Sequence, residues 1–328
     1  MIVTLTANPS LDRTVELDGA LEPGAVQRAV STRQDPGGKG VNVTRALRAS
    51  GVDSVAVLPA ADGDPILAAL DAEGVPYRPV AIDGAVRTNL TIVDASGVTT
   101  KVNEPGPVLD ADAQSRLIDV TAEAALGADW LVLAGSLPPG VGDDFYVRVV
   151  AAVGAAAERA GSAAPRIAAD TSGAALAALV EVGVAIDLIK PNAEELAELT
   201  GSSDEAALEA GPEEAIALAR SLPVERVRAS LVTLGAVGAA LVTEHHAWLA
   251  RAPRLVPRST VGAGDCSLAG FLVASVEGAS PSDALARAVA SGAAAVALPG
   301  SAVPSRDQVD PARVTVTEVA GLPVGDRQ

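Results

Sequence analysis

Short apolar runs alternate with longer segments rich in alanine and leucine along most of this 328-residue chain. The runs have the length of β-strands, and the segments have the apolar spacing of amphipathic helices. Regular alternation of strand and helix restricts the chain to an α/β fold, in which a mainly parallel central sheet carries helices on both faces. The predicted strands cover residues 2–6, 54–58, 130–134, 166–169, 188–189 and 229–233. The predicted helices cover residues 41–50, 65–73, 112–126, 145–160, 174–182, 193–200, 213–221, 266–277 and 281–297.

Two segments, 13–33 and 87–104, interrupt this alternation. In both, apolar residues alternate with polar ones as they do in half-exposed antiparallel strands, and Ser96-Gly97 has the form of a hairpin turn. We predict that these segments form a small β-sheet lid over the mouth of a site. The ligand-binding core would then comprise residues 1–12, 34–86 and 105–328. The alternative is two unrelated surface hairpins.

The composition excludes several classes of partner. A net charge of −17 argues against nucleic acid and anionic membranes, and only six aromatic residues are present for stacking on bases. The single cysteine, Cys266, allows no internal disulfide and predicts a cytoplasmic location. The N-terminus has the pattern of a strand rather than of a signal peptide, and no apolar run has the length of a membrane span.

The segment Thr260–Asp265, which reads Thr-Val-Gly-Ala-Gly-Asp, carries the strongest chemical signal. It predicts a loop that becomes a helix start, where free backbone N–H groups converge on one point beside a carboxylate. Phosphoryl transfer to an alcohol needs both features, namely donors for the developing phosphate charge and a base for the attacking hydroxyl. Asp265 is therefore the candidate base, and Gly262, Ala263 and Gly264 are the candidate anion hole.

Other motifs give weaker signals. Residues 35–43 contain three glycines, Lys39 and Asn42 before a helix, in neither the Walker nor the Rossmann order. Asp12, after the first strand, could bind sugar hydroxyls or cap a turn. Asn192 and Glu195 could organise a metal through its water shell, or form a helix-capping pair. Only three of the 24 basic residues are lysines, and two of these lie in motifs, at positions 39 and 190.

The histidines and the cysteine are predicted to have no catalytic role. His245 and His246 lie in a polar, hairpin-like segment and are predicted to be surface residues. Cys266 is predicted to be a small core residue rather than a nucleophile, because no histidine belongs to a recognisable motif with it.

The order of the motifs is more specific than any one of them. Along the chain come Asn8–Asp12, Pro36–Asn42, Asn103–Pro107, Gly135–Pro138, Lys190–Asn192 and Thr260–Asp265. This order resembles the ribokinase-like carbohydrate kinases of the PfkB family, and within them the kinases of fructose 1-phosphate and tagatose 6-phosphate. The resemblance covers essentially the whole chain.

The resemblance implies a role for each matching residue. Asp265 matches the catalytic base, and Gly262, Ala263 and Gly264 match the anion hole. The sugar-phosphate site would comprise Asp12, Gly37, Gly38, Lys39, Asn42, Arg87 and Ser136. The ATP site would comprise Lys190, Asn192, Thr233, Gly235, Gly238 and Thr260. Glu195 would hold Mg²⁺ through its water shell. Cys266 stands where the family has serine, at a position that the chemistry does not require.

The resemblance implies ATP-dependent phosphorylation of fructose 1-phosphate at its C6 hydroxyl, with ATP and Mg²⁺ as cofactors and a homodimer as the assembly. Tagatose 6-phosphate and fructose 6-phosphate are alternative acceptors. A non-catalytic sugar-phosphate sensor is a further alternative, which the intact Asp265 disfavours. Lys39 and Arg87 disfavour a nucleoside or neutral-sugar kinase, because their charges would then lack a partner in the site.

Overall fold

The computed structural model describes residues 1–202, 211–252 and 255–319, and all statements about the fold refer to these. The strands are β1 Ile2–Thr6, β2 Ser10–Leu17, β3 Ala29–Gly37, β4 Ser54–Ala60, β5 Tyr77–Ala81, β6 Arg87–Val93, β7 Thr99–Asn103, β8 Trp130–Ala134, β9 Arg166–Asp170, β10 Leu188–Ile189, β11 Ala229–Thr233, β12 Ala239–Thr243, β13 Ala247–Arg251 and β14 Thr315–Glu318. The helices are α1 Lys39–Ala49, α2 Pro65–Ala72, α3 Ala111–Ala124, α4 Phe145–Ala160, α5 Gly173–Glu181, α6 Ala193–Thr200, α7 Pro212–Ser221, α8 Ala263–Val276 and α9 Pro281–Val296.

The central sheet has ten strands in the order β14-β13-β12-β11-β10-β9-β8-β1-β4-β5. Neighbouring strands from β11 to β5 are parallel, whereas β12, β13 and β14 add antiparallel pairs at one edge. The predicted mainly parallel sheet is confirmed. The sequence pattern did not predict β5 or the antiparallel edge.

Helices cover both faces of this sheet, as predicted. In β8, Leu131 and Leu133 join a core that includes residues of α3, α4 and α5. Trp130 and Val132 join the opposite core, which includes residues of α1, α8 and α9. Successive side chains of a strand point to opposite faces, so both faces of β8 are buried and its sequence is apolar throughout.

A separate four-stranded sheet has the order β3-β2-β6-β7. Strands β2 and β3 pair antiparallel, as do β6 and β7, while β2 and β6 are parallel to each other. The two predicted segments therefore combine into one small sheet rather than two unrelated hairpins. Strands β2 and β3 extend past the predicted segment 13–33: β2 begins at Ser10 and β3 ends at Gly37.

Helices α1 and α8 begin earlier than the apolar pattern predicts, which moves Asp265 into the first turn of α8. The residues before them, Gly38 and Gly262, have φ of 103° and 75°. Only glycine adopts such angles readily, so each glycine lets the chain turn sharply into a helix. The predicted starts were late because they were placed at Val41 and Cys266, where the apolar pattern begins.

Among the described residues, no helix combines the length and apolar character needed to span a membrane.

Candidate active site

Asp265 lies buried at the third position of α8, with 7% of its surface exposed. Its Oδ2 accepts a hydrogen bond of 2.9 Å from Asn42 Nδ2 of α1. These residues are 223 positions apart in the chain, and the packing of α1 against α8 brings them together. Within the described residues, Oδ1 of Asp265 accepts no hydrogen bond, so one carboxylate oxygen is held and the other is available.

The surroundings of Asp265 make it a stronger base than an exposed carboxylate. Burial and, secondly, the negative charge of Asp170 raise the pKa of Asp265 to about 6. The Asn42 hydrogen bond and the charges of Lys190 and Lys39 act in the opposite direction. A carboxyl group with this pKa is mostly ionised at neutral pH, yet accepts a proton more readily than an ordinary aspartate.

Backbone donors lie beside this carboxylate. Within the described part of the chain, the N–H groups of Gly264 and Asp265 meet no acceptor, and that of Ala263 makes one long contact of 3.4 Å with the Thr260 carbonyl. A Cβ atom added at Gly262 would have no neighbour within 4 Å, so there is space over the helix start. Free N–H groups at the positive end of a helix form an anion-binding arrangement.

A buried group of charges adjoins the helix start. Lys39 Nζ lies 2.8 Å from Asp170 Oδ1 and 3.3 Å from Glu195 Oε1, and Lys190 Nζ lies 3.1 Å from Asp170 Oδ2. Burial disfavours the charged form of Asp170, but Lys190 and Lys39 outweigh burial and hold the pKa of Asp170 below its usual value. A Cβ atom on Gly264 would lie 3.2 Å from Lys190 Nζ, so these cations border the anion-binding arrangement.

Sequence reasoning missed Asp170, because the apolar pattern of the predicted strand stops at Ala169. In the structure β9 includes Asp170, which is fully buried. An acidic residue directly after a buried parallel strand was the available signal, since such strand ends border ligand sites. Lys39, predicted to bind the phosphate of the acceptor, contacts Asp170 and Glu195, and its contact with the acceptor stays a prediction.

Asn192 and Glu195 form the capping pair that was one of their two predicted roles. Asn192 Oδ1 accepts from the Glu195 amide at 2.7 Å, and Glu195 Oε2 accepts from the Asn192 amide at 3.0 Å. The same loop pairs with the end of β11, where the Thr233 amide donates to the Pro191 carbonyl at 3.0 Å. The structure thus brings Lys190, Asn192, Glu195 and Thr233 together.

The other predicted ATP residues, Gly235, Gly238 and Thr260, follow Thr233 in the chain. Gly238 has a packing role, because a Cβ atom there would collide with the Ala250 carbonyl of β13. Gly235 begins the short turn that precedes it. Thr260 is exposed in the loop before α8. No hydrogen bond joins these three residues to Asp265 within the described residues, and their nucleotide contacts stay predictions.

One face of the small sheet carries polar groups. Paired residues of neighbouring strands share a face, and Ser10 pairs with Arg87 while Asp12 pairs with Asn89. Asn89 Nδ2 donates to Asp12 Oδ1 at 2.9 Å and to Ser10 Oγ at 3.0 Å. Burial lowers the pKa of Arg87, while Asp12 acts to raise it. Sequence reasoning missed Asn89, although its alternation with Arg87 on a polar strand was visible.

Several of these polar groups have unmet hydrogen-bonding capacity. Among the described residues, neither Arg87 Nε nor Asn89 Oδ1 has a partner, although both atoms are buried. Gly37 lies against Asp12, whose carboxylate fills the space that a Cβ atom at Gly37 would need. Gly38 follows and connects β3 to α1, so the Asp12 region and Asn42 are joined by one short turn.

Ser136 is exposed in the loop after β8. Buried donors hold the start of this loop, because Tyr146 Oη and Thr171 Oγ1 each donate to the Gly135 carbonyl at 2.9 Å. The Gly135 amide donates in turn to the Asp170 carbonyl at 2.9 Å. The loop is therefore fixed beside the buried charges, and Ser136 is presented to solvent at the same edge of the sheet.

The histidines and the cysteine agree with their predicted interpretations. His245 and His246 lie between β12 and β13 with side chains 76% and 56% exposed. Cys266 is buried, and burial together with the nearby Asp265 charge raises the pKa of its thiol to about 12. A thiol with this pKa is not a nucleophile at neutral pH.

Comparison with known proteins identifies the family. The sequence profile described as pfkB family carbohydrate kinase matches residues 5–308. The chain belongs to this family. A 1-phosphofructokinase of Xanthomonas campestris pv. campestris is 36% identical over 292 residues, covering 87% of each chain. An ATP-dependent 6-phosphofructokinase isozyme 2 of Mycobacterium tuberculosis is 33% identical over 312 residues, covering 94% of this chain and 88% of the relative.

Solved structures agree with this membership of the pfkB family. Phosphofructokinase-2 from Escherichia coli, crystallised in complex with substrates and products, has a TM-score of 0.81 and 31% identity. The match covers 94% of this chain and 96% of that one. As a pfkB kinase, this chain is an ATP-dependent sugar-phosphate kinase, which confirms the predicted enzyme class.

Proposed function

We propose that this kinase transfers the γ-phosphoryl group of ATP to the C6 hydroxyl of fructose 1-phosphate, giving fructose 1,6-bisphosphate and ADP. The observation that carries the chemistry is the buried Asp265 carboxylate beside the free amides of α8. The relative named 1-phosphofructokinase supports this acceptor. The relative named 6-phosphofructokinase isozyme 2 supports fructose 6-phosphate as the second candidate.

Asp265 is the general base of the proposed reaction. The C6 oxygen forms a bond to the γ-phosphorus, the bond from that phosphorus to the β–γ bridging oxygen breaks, and the hydroxyl proton passes to Asp265. The held oxygen, Oδ2, stays on Asn42, and the available Oδ1 takes the proton. Help of this kind is typically worth about 10²–10⁴ in rate.

The start of α8 is the proposed anion hole for the transferring group. Negative charge spreads over the phosphoryl oxygens in the transition state, and fixed donors stabilise it without reorganising. Gly262, Ala263 and Gly264 shape the turn, and the Gly264 and Asp265 amides are the free donors. Lys190 adds a cation directly beside them, which a protein of net charge −17 needs for an anionic ligand.

Glu195 is the carboxylate that would hold Mg²⁺ through its water shell, and its side chain remains 12% exposed at the edge of the buried charges. Magnesium usually keeps several waters and takes one or two carboxylates plus substrate phosphates, rather than a cage of protein ligands. No cluster of three metal-ligating side chains occurs among the described residues. When bound, Mg²⁺ neutralises charge on the nucleotide phosphates. Asn192, Thr233, Gly235, Gly238 and Thr260 remain the proposed ATP residues.

The polar face of the small sheet is the proposed acceptor site. Asp12 and Asn89 offer acceptors and donors to sugar hydroxyls, and Arg87 offers a half-buried guanidinium to the phosphate of the acceptor. Ser136 lies in the adjoining fixed loop. Gly37 and Gly38 form the proposed sugar-contacting turn beside Asp12.

We also infer that the small sheet closes over the sugar and joins two chains as a homodimer. Closure would exclude water and so prevent hydrolysis of ATP. Apolar side chains on its strands support a covered face, since Val30 is 62% exposed and Val102 is 56% exposed. Sedimentation at micromolar concentration would contradict this inference if it gave the mass of one chain.

A turnover assay decides the acceptor. Purified protein, ATP and Mg²⁺ are mixed separately with fructose 1-phosphate, fructose 6-phosphate, tagatose 6-phosphate and unphosphorylated fructose, and ADP release is measured. We expect the highest kcat/KM with fructose 1-phosphate. Preference for another ketose phosphate would show that the proposed acceptor is wrong and would leave the mechanism unaffected. If none of them gave ADP, the proposal would be overturned.

Substitution Glu195→Gln separates the metal role from the capping role. Glutamine can keep the capping pair but removes the charge, so the fold should persist. We expect the Mg²⁺ concentration for half-maximal activity to rise about 10-fold or more. Glu194→Gln is the matched control, because Glu194 is the exposed neighbour in the same helical turn. An unchanged magnesium titration for Glu195→Gln would leave this residue with capping alone.

A further inference from the structure

Arg45 of α1 is a buried charged residue that the proposed mechanism does not use. It is 6% exposed and lies one helical turn after Asn42. A buried guanidinium is costly unless each of its donors finds a partner. The partners of Arg45 therefore indicate why an arginine stands at this position in the core.

The guanidinium is fixed from three directions. Arg45 Nε and Nη2 donate to the two carboxylate oxygens of Glu73, directly after α2, at 2.6 and 3.0 Å. Arg45 Nη1 donates to the Ser301 carbonyl at 3.1 Å and to Asn42 Oδ1 at 3.3 Å. A two-point arginine–carboxylate pair holds the plane of the guanidinium as well as its position.

The chemistry of these groups determines which way the Asn42 amide points. Arginine carries only donors, so the Asn42 atom that faces it must be the carbonyl oxygen. The Asn42 NH₂ group then points to Asp265 Oδ2, where the hydrogen bond measures 2.9 Å. If the amide were reversed, its oxygen would face a carboxylate and its NH₂ group would face a cation.

We propose that Arg45, held by Glu73, is a positioning residue that orients the Asn42 amide and thereby keeps the Asp265 carboxylate in its reactive orientation. Arg45 acts through Asn42 and touches no reacting atom. The inference deepens the proposed function and rests on it for the role of Asp265. The link Glu73–Arg45–Asn42–Asp265 joins α2, α1 and α8. The orientation of the Asp265 carboxylate therefore depends on residues packed outside the site.

Other charged groups also act on Asp265 and are unchanged by substitution of Arg45. Asp170 lies on β9, Lys39 on α1, and Lys190 directly after β10, and all three influence the pKa of Asp265. The neighbouring Cys266 thiol remains neutral, with a pKa of about 12. Loss of the Arg45 charge would itself raise the pKa of Asp265, so only the part of the shift that disappears in an Asn42→Ala background reports the Asn42 hydrogen bond.

A double-mutant cycle tests the proposal. Arg45→Met should lower kcat about 10-fold or more, with little change in the KM for ATP. In an Asn42→Ala background the same substitution should change kcat by less than about 2-fold, because Arg45 would have nothing left to orient. Equal losses in both backgrounds would show that Arg45 acts independently of Asn42 and would overturn the proposal.

Two further variants and one control guard against a failure of Arg45→Met to fold. Arg45→Lys keeps the charge but loses the two-point geometry, and Glu73→Gln loosens the guanidinium. Each should lower kcat in the wild-type background and have little effect in the Asn42→Ala background. Arg48→Met is the control, because Arg48 is exposed near the end of the same helix, and it should behave as wild type.

A titration without turnover separates this inference from the proposed function. The pKa of the Asp265 carboxyl is followed by ¹³C NMR and assigned with Asp265→Asn. Arg45→Met should raise it more in the wild-type background than in the Asn42→Ala background, because only the first comparison removes the aligned donor as well as the positive charge. Equal rises in the two backgrounds, or no rise in either, would overturn the positioning role. A wild-type protein that phosphorylates none of the ketose phosphates would overturn the proposed function instead, and the titration would still decide the role of Arg45.

Discussion

Replacement of Asp265 by asparagine should lower kcat by about 10²–10⁴-fold while the protein stays folded and still binds ATP. Asparagine has nearly the same shape, and its side-chain oxygen can still accept the hydrogen bond from Asn42 Nδ2. What is lost is the capacity to take up the proton of the acceptor hydroxyl. Turnover with saturating ketose phosphate measures the loss, and equilibrium nucleotide binding shows that the site is otherwise intact.

A control variant and a pH profile of the wild type accompany this experiment. Asp119→Asn, an exposed carboxylate on α3, should leave turnover unchanged. Under the proposed mechanism the ionised form of Asp265 is the active one, so the turnover of the wild type should rise with pH through about 6, where burial places the pKa of this residue. Near-normal turnover by the asparagine variant would remove Asp265 from the mechanism and leave the buried carboxylate without a catalytic role.

Replacement of Arg87 by alanine should raise the KM for the sugar phosphate about 10- to 100-fold and change the KM for ATP far less. The half-buried guanidinium has an unpaired buried Nε and lies on the polar face of the small sheet beside Asp12. A phosphate group on the acceptor would complete its hydrogen bonding. Steady-state kinetics with each substrate varied in turn measure the two effects.

The small sheet supplies its own control for Arg87. Arg13 of β2 pairs with Leu90, so its side chain lies on the face opposite to Arg87 and is exposed. Arg13→Ala should leave the ratio of the two KM values unchanged, because it removes no group from the polar face. If Arg87→Ala raised the two KM values equally, the guanidinium would not be specific to the acceptor, and the phosphate of the sugar would have to bind elsewhere.

The local pattern of the chain predicted most of the central sheet, because parallel strands buried on both faces are continuous apolar runs. Residues 130–134 and 229–233 are strands with the predicted bounds. The edge strands β12 to β14 were not predicted, since they are antiparallel and their pairing depends on residues distant in sequence. Asp265 and its glycines were found because their chemistry is contained in one short segment.

Contacts between distant residues could not be predicted in the same way. Asp170 forms ion pairs with Lys39 and Lys190, which are distant from it in sequence. The local sequence around Asp170 does not predict these pairs. Arg45 looks like an ordinary helical arginine until Glu73 and Asn42 are seen beside it. The packing of Gly238 against the Ala250 carbonyl of β13 was likewise not predicted, and its contact with nucleotide stays a prediction. Chemistry held in one loop was predictable, and chemistry assembled across the sheet was not.

The polar face of the small sheet and the start of α8 belong to different parts of the fold. This separation has a consequence for how such enzymes diversify. Under the proposed function, Asp12, Arg87 and Asn89 choose the acceptor from the small sheet, whereas Asp265 and the α8 amides carry out the transfer from the large one. A new sugar can then be accommodated by exchanging a few strand side chains, with the transfer apparatus inherited unaltered. Engineering of substrate preference should begin on β2 and β6 and leave the core of the protein as it is.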